Sequence, residues 1–421
     1  MADQNFANGF DTLCIRGGHT PESNRAHLTP IYASSTYTFD SAEQAIDVFK
    51  GTEPGYIYGR WGNPTITEAE EKIALLEAYA LKQKNGEPLQ LKALLHSSGM
   101  AAICTMLLSN IRAGQKILTH QSLYGGTHEL VEKILPDMGV QAIIVDFHDI
   151  NKVEDALKKD DNITLMYIET PANPTVQCVD LERLSALGKA YGLTVCVDNT
   201  FATPYLQQPF RYDVDYVMHS TTKFLNGHGT AIGGILIGRD IEKMNTVVTK
   251  KHRLLGGNSN AFDAFLLTNG LRTFGLRMER HCANAAKVAN YLAAHPWVAR
   301  VNYLGLPSHP DYKIAERQMK HPGAMLSFEL KGGFDAGVKF INNLKLCTNA
   351  VSLGTCDTLV SHAASSTHMG VPRDQRIAFG ISDGLIRMSV GIENVEDILA
   401  DLENAISNPY HLNDAKTVTL F

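Results

Sequence analysis

Several features that would place a protein in a class at once are scarce or missing here. Seven cysteines (Cys14, Cys104, Cys178, Cys196, Cys282, Cys347, Cys356) are spread over 421 residues with no CxxC pair, and their odd number argues against a disulfide framework. Cys196 lies inside an apolar run and reads as a small core residue. This usage fits a reducing compartment, the cytoplasm. Sixteen histidines show no HExxH or comparable spacing, so no metal site is expected. A GxxxxGK[ST] phosphate loop is missing. Gly227-x-Gly229-xxx-Gly233 has three residues before its last glycine and runs into the strand-like Ile235-Leu236-Ile237, which excludes a dinucleotide loop. With 38 basic and 44 acidic residues the net charge is −6, so neither nucleic acid nor an acidic membrane surface is an expected partner. No apolar run approaches ~18 residues, and Met1-Ala2-Asp3-Gln4-Asn5 is not a basic stretch leading into an apolar core. Neither a membrane span nor a signal peptide is therefore expected. No internal repeat or low-complexity segment stands out.

What is present is a globular composition, 44% hydrophobic and 19% charged. At ~100–200 residues per domain the length suggests two or three domains. Residues 1–65 read as irregular and rich in Pro, Gly, Ser, Thr and Tyr. Their aromatics would be costly to leave in water, which suggests an arm packed on a neighbouring subunit. Thr67 with Glu70 reads as a capping box opening a helix through Ile66, Ala69, Ile73, Leu76 and Ala80. Within a domain expected over 66–270, strands and helices alternate from about 91 to 240, with strands expected at Ala93–Leu95, Lys116–Thr119, Ala142–Val145, Leu165–Ile168 and Leu193–Val197. Helices are expected near 128–138 and 181–191. The pattern predicts an α/β domain with a mostly parallel central sheet, whose ligands bind at the carboxyl ends of the strands. From 271 to 421 a long helix from Gly275 to about His295, shorter α/β elements and an amphipathic helix near 395–406 suggest a smaller C-terminal α/β domain. The tail from Asn408 reads as polar and loose.

The chemistry centres on His219-Ser220-Thr221-Thr222-Lys223, a strand end followed by hydroxyls and one lysine. Hydroxyls can hold an anion, and a partly desolvated lysine can attack a carbonyl. An ordinary surface lysine fits the same pattern. Asp198 ends another apolar run, 25 residues earlier. It reads either as a turn cap or as an anion against a pyridinium nitrogen. Ser98-Gly99-Met100 lies between strand and helix. There Ser98 serves as an N-cap, or the free N–H groups take a phosphate that Ser220 and Thr222 help to hold. Tyr124 follows a strand and could stack on a ring or be a half-buried loop residue. Asn173, between two prolines, could bond a ring hydroxyl or mark a rigid turn. Arg387 is a charge within an apolar run and needs an anion, either a substrate carboxylate or a structural ion-pair partner.

Together these motifs give a resemblance. Tyr58-Gly59-Arg60, Asn63-Pro64-Thr65, Ser98-Gly99-Met100, Tyr124-Gly125-Gly126-Thr127 and Glu169-Thr170-Pro171-Ala172-Asn173-Pro174 carry its first half. Val197-Asp198-Asn199-Thr200, Ser220-Thr221-Thr222-Lys223-Phe224, Ser352-Leu353-Gly354 and Arg387-Met388-Ser389-Val390-Gly391 carry the rest. Over nearly its whole length the chain resembles the pyridoxal phosphate (PLP) dependent Cys/Met metabolism, or transsulfuration, family. The resemblance implies a PLP-dependent aminotransferase-like fold (fold type I) and a Schiff base at Lys223. It also implies Asp198 at the pyridine nitrogen, Tyr124 stacked on the ring, and phosphate contacts from Ser98, Gly99, Met100, Ser220 and Thr222. Tyr58 and Arg60 would reach the phosphate of a neighbouring subunit in a homotetramer. Arg387, helped by Asn173 and Ser352, would take the carboxylate of an amino-acid substrate.

The implied reaction is γ-elimination on methionine, cystathionine or homocysteine to a 2-oxo acid, ammonia and a thiol. Lys223 would move protons, and Tyr124 would protonate the departing group. γ-Replacement by a thiol is the alternative. Methionine γ-lyases of this family usually carry a cysteine where this chain has Gly126, and a basic-acidic pair that has no counterpart near His252-Arg253. Cystathionine-handling members often carry a glutamate where this chain has Asp357. Gly126 weighs against methionine as the preferred substrate.

Overall fold

The computed structural model describes residues 9–19, 25–378 and 380–407. The tail from Asn408 lies outside the described residues. The described residues divide into two compact units. One is drawn from Met1–Pro171, Val179–Met278 and Gln318–Lys320, the other from Ala172–Cys178, Glu279–Arg317 and His321–Phe421.

The first unit is built on a seven-stranded sheet. Its strands are β1 (Lys92–His96), β2 (Lys116–Thr119), β3 (Gln141–Ile144), β4 (Ile163–Glu169), β5 (Thr194–Asp198), β6 (Tyr216–His219) and β7 (Gly234–Gly238). Their spatial order is β1-β7-β6-β5-β4-β2-β3. Only β7 runs against its neighbours, pairing antiparallel with β1 and β6, while β6, β5, β4, β2 and β3 pair in parallel. The near-continuous apolar runs of β4 and β5 are those of strands buried on both faces. Leu165, Tyr167, Cys196, Met218 and Leu236 pack with Ala102, Met106 and Leu107 of the helix Gly99–Asn110 into one core.

Three local expectations are corrected. The segment up to residue 65 contains two helices, Phe10–Arg16 and Ala42–Lys50; Ser41 caps the second, accepting the Gln44 N–H, and Gly51 closes it in the left-handed region. The helix expected to open at Thr67 opens at Pro64 instead. Asn63 is its cap, accepting from Thr65 N at 2.9 Å, and Pro64 fits the first turn because its missing N–H has no partner there anyway. Thr67 turns its hydroxyl back to the Asn63 carbonyl. Near residue 130 the helix is broken up into Gly125–Glu129, a π-type turn Leu130–Ile134, and Leu135–Asp137.

The edge strand β1 is covered by the helix Pro64–Glu77. Glu70 on that helix accepts the Leu95 N–H at 2.7 Å, closing a donor that a sheet edge would leave open. Burial, opposed by that bond and by Lys92, pushes the Glu70 carboxyl up to about 7. Since the folded value exceeds the usual 4.5, its contribution to stability is complete below about pH 4.5 and is lost as pH rises through 7. Glu70→Gln keeps the acceptor and removes the titration. Urea titrations at pH 5 and pH 8 should therefore show the variant gaining about 1–3 kcal/mol on the parent between the two. Parallel behaviour of the two proteins would refute this.

The second unit has a five-stranded sheet of β8 (Val298–Asn302), β9 (Met325–Leu330), β10 (Thr348–Asn349), β11 (Leu359–His362) and β12 (Leu385–Ser389), in the order β10-β11-β12-β9-β8. Only the β10–β11 pair is parallel. Phe328, Ile386 and Met388 meet Val288 and Leu292 of the helix Phe274–Ala294 and Leu402 of the helix Val395–Ser407.

Candidate active site

In the first unit the carboxyl ends of neighbouring strands gather most of the expected residues. Asp198 ends β5 and His219 ends β6, adjacent and parallel with Asp198 opposite Met218. The chain leaving β6 turns at once: Lys223 N–H donates to the Ser220 carbonyl at 3.2 Å, and the Lys223 carbonyl accepts from Gly227 at 2.8 Å. Lys223 is half-buried on this turn, four residues past the strand.

Asp198 is buried at 7% exposure. Desolvation raises its carboxyl above the ordinary range, opposed by bonds from Thr200, the nearby charge of His219 and the Tyr167 hydroxyl. The Thr200 N–H reaches Asp198 Oδ1 at 3.0 Å, and the Thr200 hydroxyl accepts the Ser220 N–H at 2.9 Å. One threonine thus ties the carboxylate to the lysine turn. A buried carboxylate of this kind is an electrostatic demand for a cationic partner.

Ser98 caps the helix Gly99–Asn110, its hydroxyl accepting from Ala101 at 3.1 Å. The helix start presses against the lysine turn: a methyl on Gly99 would stand 3.0 Å from Ser220 Cβ. The backbone at Ser98 runs so close to Gly234 of β7 that a side chain there would overlap the Ser98 carbonyl. Glycine at both places lets a helix N-terminus, with Met100 in its first turn, lie beside the Ser220 hydroxyl, an arrangement suited to a phosphate. The Thr222 hydroxyl is engaged by the Gly233 backbone, 3.0 Å from its N–H and 3.2 Å from its carbonyl.

Tyr124 follows β2 and is 51% exposed. Its N–H donates to Glu169 at the end of β4, at 2.7 Å. Residue patterns gave Glu169 no separate role, although a charge closing an apolar run at a strand end is a visible signal. Arg60 stands elsewhere in the unit. Its guanidinium lies over Tyr58, bonds the Arg253 carbonyl at 2.7 Å and lines a cleft of about 450 Å³ with Glu70, His252 and Arg253, a lining that includes none of Asp198, Ser220 or Lys223.

In the second unit Arg387 sits mid-strand in β12, 5% exposed. It donates to Asn173 Oδ1 at 3.2 Å and to the carbonyls of Val351 and Ser352 at 3.1 and 2.9 Å. All three partners are neutral, the buried Nε has none, and burial lowers the guanidinium to about 10. No carboxylate among the described residues pairs with it, so the structural ion pair considered for this residue is not formed. Among the described residues there is no group of three or more His, Cys, Asp or Glu placed to hold a metal, and no helix long and apolar enough to cross a membrane.

The first unit therefore offers an amine on a tight turn, a buried carboxylate one strand away and a glycine-lined helix start beside a serine hydroxyl. This donor set fits an aldehyde, a basic ring nitrogen and a phosphate, the three functional ends of pyridoxal phosphate. Comparison with known proteins agrees. The profile of the Cys/Met metabolism PLP-dependent enzymes matches residues 11–407. An L-methionine gamma-lyase of Fusobacterium nucleatum subsp. polymorphum is 46% identical over 400 residues, 94% of this chain and 98% of the relative. Two solved structures are each 36% identical. The cystathionine gamma-lyase from Lactobacillus plantarum complexed with L-serine superposes with a TM-score of 0.86 over 95% of this chain and 99% of that one. The cystathionine gamma synthase from Xanthomonas oryzae pv. oryzae in complex with aminoacrylate and cysteine gives 0.87 over 95% and 98%. With a match across nearly the whole chain, this protein belongs to the PLP-dependent enzymes of Cys/Met metabolism.

Proposed function

We propose that the protein is a carbon–sulfur lyase acting by γ-elimination: a sulfur amino acid (methionine, cystathionine or homocysteine) and water yield a 2-oxo acid, ammonia and a thiol. The observation that carries this reading is the full-length similarity to an L-methionine gamma-lyase at 46% identity. The cofactor, when bound, supplies an electrophilic carbon for the substrate amine and a protonated ring that withdraws electrons. Lys223 would hold it through its amine and, once freed, would take the Cα proton and move protons between Cα and Cβ. Asp198 would pair with the ring nitrogen. Ser98, Gly99, Met100 and Ser220 would hold the phosphate, with Thr222 supporting the turn through Gly233. Arg387, a buried cation whose partners among the described residues are neutral, binds the substrate carboxylate, with Asn173 and Ser352 fixing its orientation. Tyr124 gives its phenolic proton to the departing sulfur.

Copies of the chain assemble as a homotetramer in the cytoplasm. Exposed Phe49, Tyr58 and Trp61 support an arm, residues 1–65, that packs on a neighbouring subunit and brings Tyr58 and Arg60 to its phosphate. Seven free thiols support the reducing compartment.

The deciding experiment measures 2-oxo acid release from methionine, cystathionine and homocysteine, and thioether formation from an O-acyl-homoserine with a thiol. Trace oxo acid with rapid thioether formation would replace elimination by γ-replacement, a reading the similarity to a cystathionine gamma synthase keeps in view.

Gly126 shapes this site by what it leaves out. A methyl there would stand 2.7 Å from Tyr124 Cε1 and 3.1 Å from Met100 Sδ. The exposed tyrosine ring is the part free to yield. Gly126→Ala should therefore leave the melting temperature nearly unchanged while lowering kcat by up to about 100-fold, the scale of a misplaced reacting group. Unaltered kcat would remove Tyr124 from proton transfer.

A further inference from the structure

A second set of buried polar groups lies at the same strand ends, and the reaction scheme leaves it unused. Glu77 is the last residue of the helix Pro64–Glu77 and is completely buried, as is His219 at the end of β6. Glu77 Oε1 lies 2.5 Å from His219 Nε2. The same oxygen takes a longer bond, 3.4 Å, from Asn199 Nδ2. Asn199 directly follows Asp198, and its N–H bonds the Met218 carbonyl at 3.0 Å. Its amide also donates to the Gln207 carbonyl at 2.9 Å, and Gln207 returns a bond to Asn199 Oδ1 and another to the Thr170 carbonyl. One carboxylate thus grips the residue after Asp198 on β5 and the residue before Ser220 on β6.

A fully buried carboxylate is tolerated only when neutralised by a proton or a cation. Among the described residues His219 is the ion-pair partner of Glu77. Asp198 in turn is buried, and among the influences on it the charge of His219 is one that favours its anion. The groups around Asp198 can be named strand by strand. From β4, Tyr167 places its hydroxyl 3.5 Å from Oδ2, while the Glu169 carboxylate bonds the Tyr124 N–H and its own N–H meets the neutral ring of His120. From the turn after β5 comes Thr200, and from β6 comes His219. His219 is the basic side chain in that set.

We propose that Glu77 and His219 are positioning residues: Glu77 holds the proton of their shared contact on His219, and the resulting imidazolium keeps Asp198 ionised and locks the β5 and β6 ends in register. The inference rests on the assignment of Asp198 to the cofactor ring nitrogen, but its test does not. In apoprotein labelled with 13C-aspartate, the carboxylic-acid infrared band that Asp198→Asn removes reports Asp198 alone. It should be missing at pH 7 in the parent and should appear at a pH at least about one unit higher in His219→Gln and in Glu77→Gln, as expected for loss of a nearby opposite charge. In the reconstituted enzyme the same two variants should lower kcat about tenfold or more, with KM nearly unchanged and the yellow colour retained. A purely structural role would shift melting temperature and leave the Asp198 titration in place, and that outcome overturns the proposal. Should either variant fail to fold, 15N-histidine spectra of the parent decide: both ring nitrogens of His219 should carry protons at pH 7, and a neutral ring overturns the assignment. Loss of lyase activity with an intact Asp198 titration difference would instead count against the reaction scheme alone.

Discussion

Lys223→Ala should be colourless after incubation with pyridoxal phosphate, and its turnover should fall by at least about 10⁴-fold, beyond the upper end for loss of a general base alone, since the covalent anchor goes too. The fold should survive. Lys223 is half-buried on a turn held by its backbone, through the Ser220 carbonyl on one side and the Gly227 N–H on the other. Circular dichroism and melting temperature close to the parent, with no 2-oxo acid released, is the expected pair of results. A yellow, active variant would place the anchor on another lysine. Added small amines should return part of the activity if the missing group acts as a base.

Gly227→Ala should be the most damaging single methyl in the lysine turn, costing about 2–5 kcal/mol of stability from overpacking and a left-handed backbone together. Gly227 has φ +74°, and a side chain there would overlap the guanidinium of Arg277. Arg277 is 4% exposed and cannot move away cheaply. It donates to the carbonyls of Phe224 at 2.8 Å, Leu225 at 3.3 Å and Gly270 at 2.8 Å, and to the Thr273 hydroxyl. The bonds to Phe224 and Leu225 carry the backbone immediately after Lys223. Urea unfolding measures the loss, and cofactor affinity should drop in parallel because the anchor is displaced with the turn. A variant as stable as the parent would show that Arg277 can be rearranged without cost. Nothing in the residue pattern singles out Arg277. An arginine in a helix is ordinarily a surface charge, and nothing local marks it as the clamp of a segment about 50 residues away.

Short-range and long-range interactions leave different traces in this chain. Hydrophobic runs ending in Asp198, Glu169 or His219 are local facts, and in an alternating α/β chain they place those residues on one rim. Strands β1 to β7, the long helix ending at Ala294 and the last helix were visible in this way. Helix boundaries were less so. Asn63-Pro64 competes with Thr67 as a start, and only the bonds of Asn63 to Thr65 and to the Tyr32 carbonyl decide between them.

By itself the sequence determined the family, and it pointed to Lys223, to Asp198 at the end of β5 and to the helix start at Ser98 as its candidate site, since each depends on residue type and order along a short segment. Tertiary structure alone decided that Arg387 has neutral partners, that Glu77 and His219 meet beneath the strand ends, and that Arg277 holds the turn of Lys223. Those contacts join residues from 35 to 214 positions apart. Burial removes the water that would otherwise satisfy each charge, so its partner is set by packing and not by the neighbouring letters of the chain.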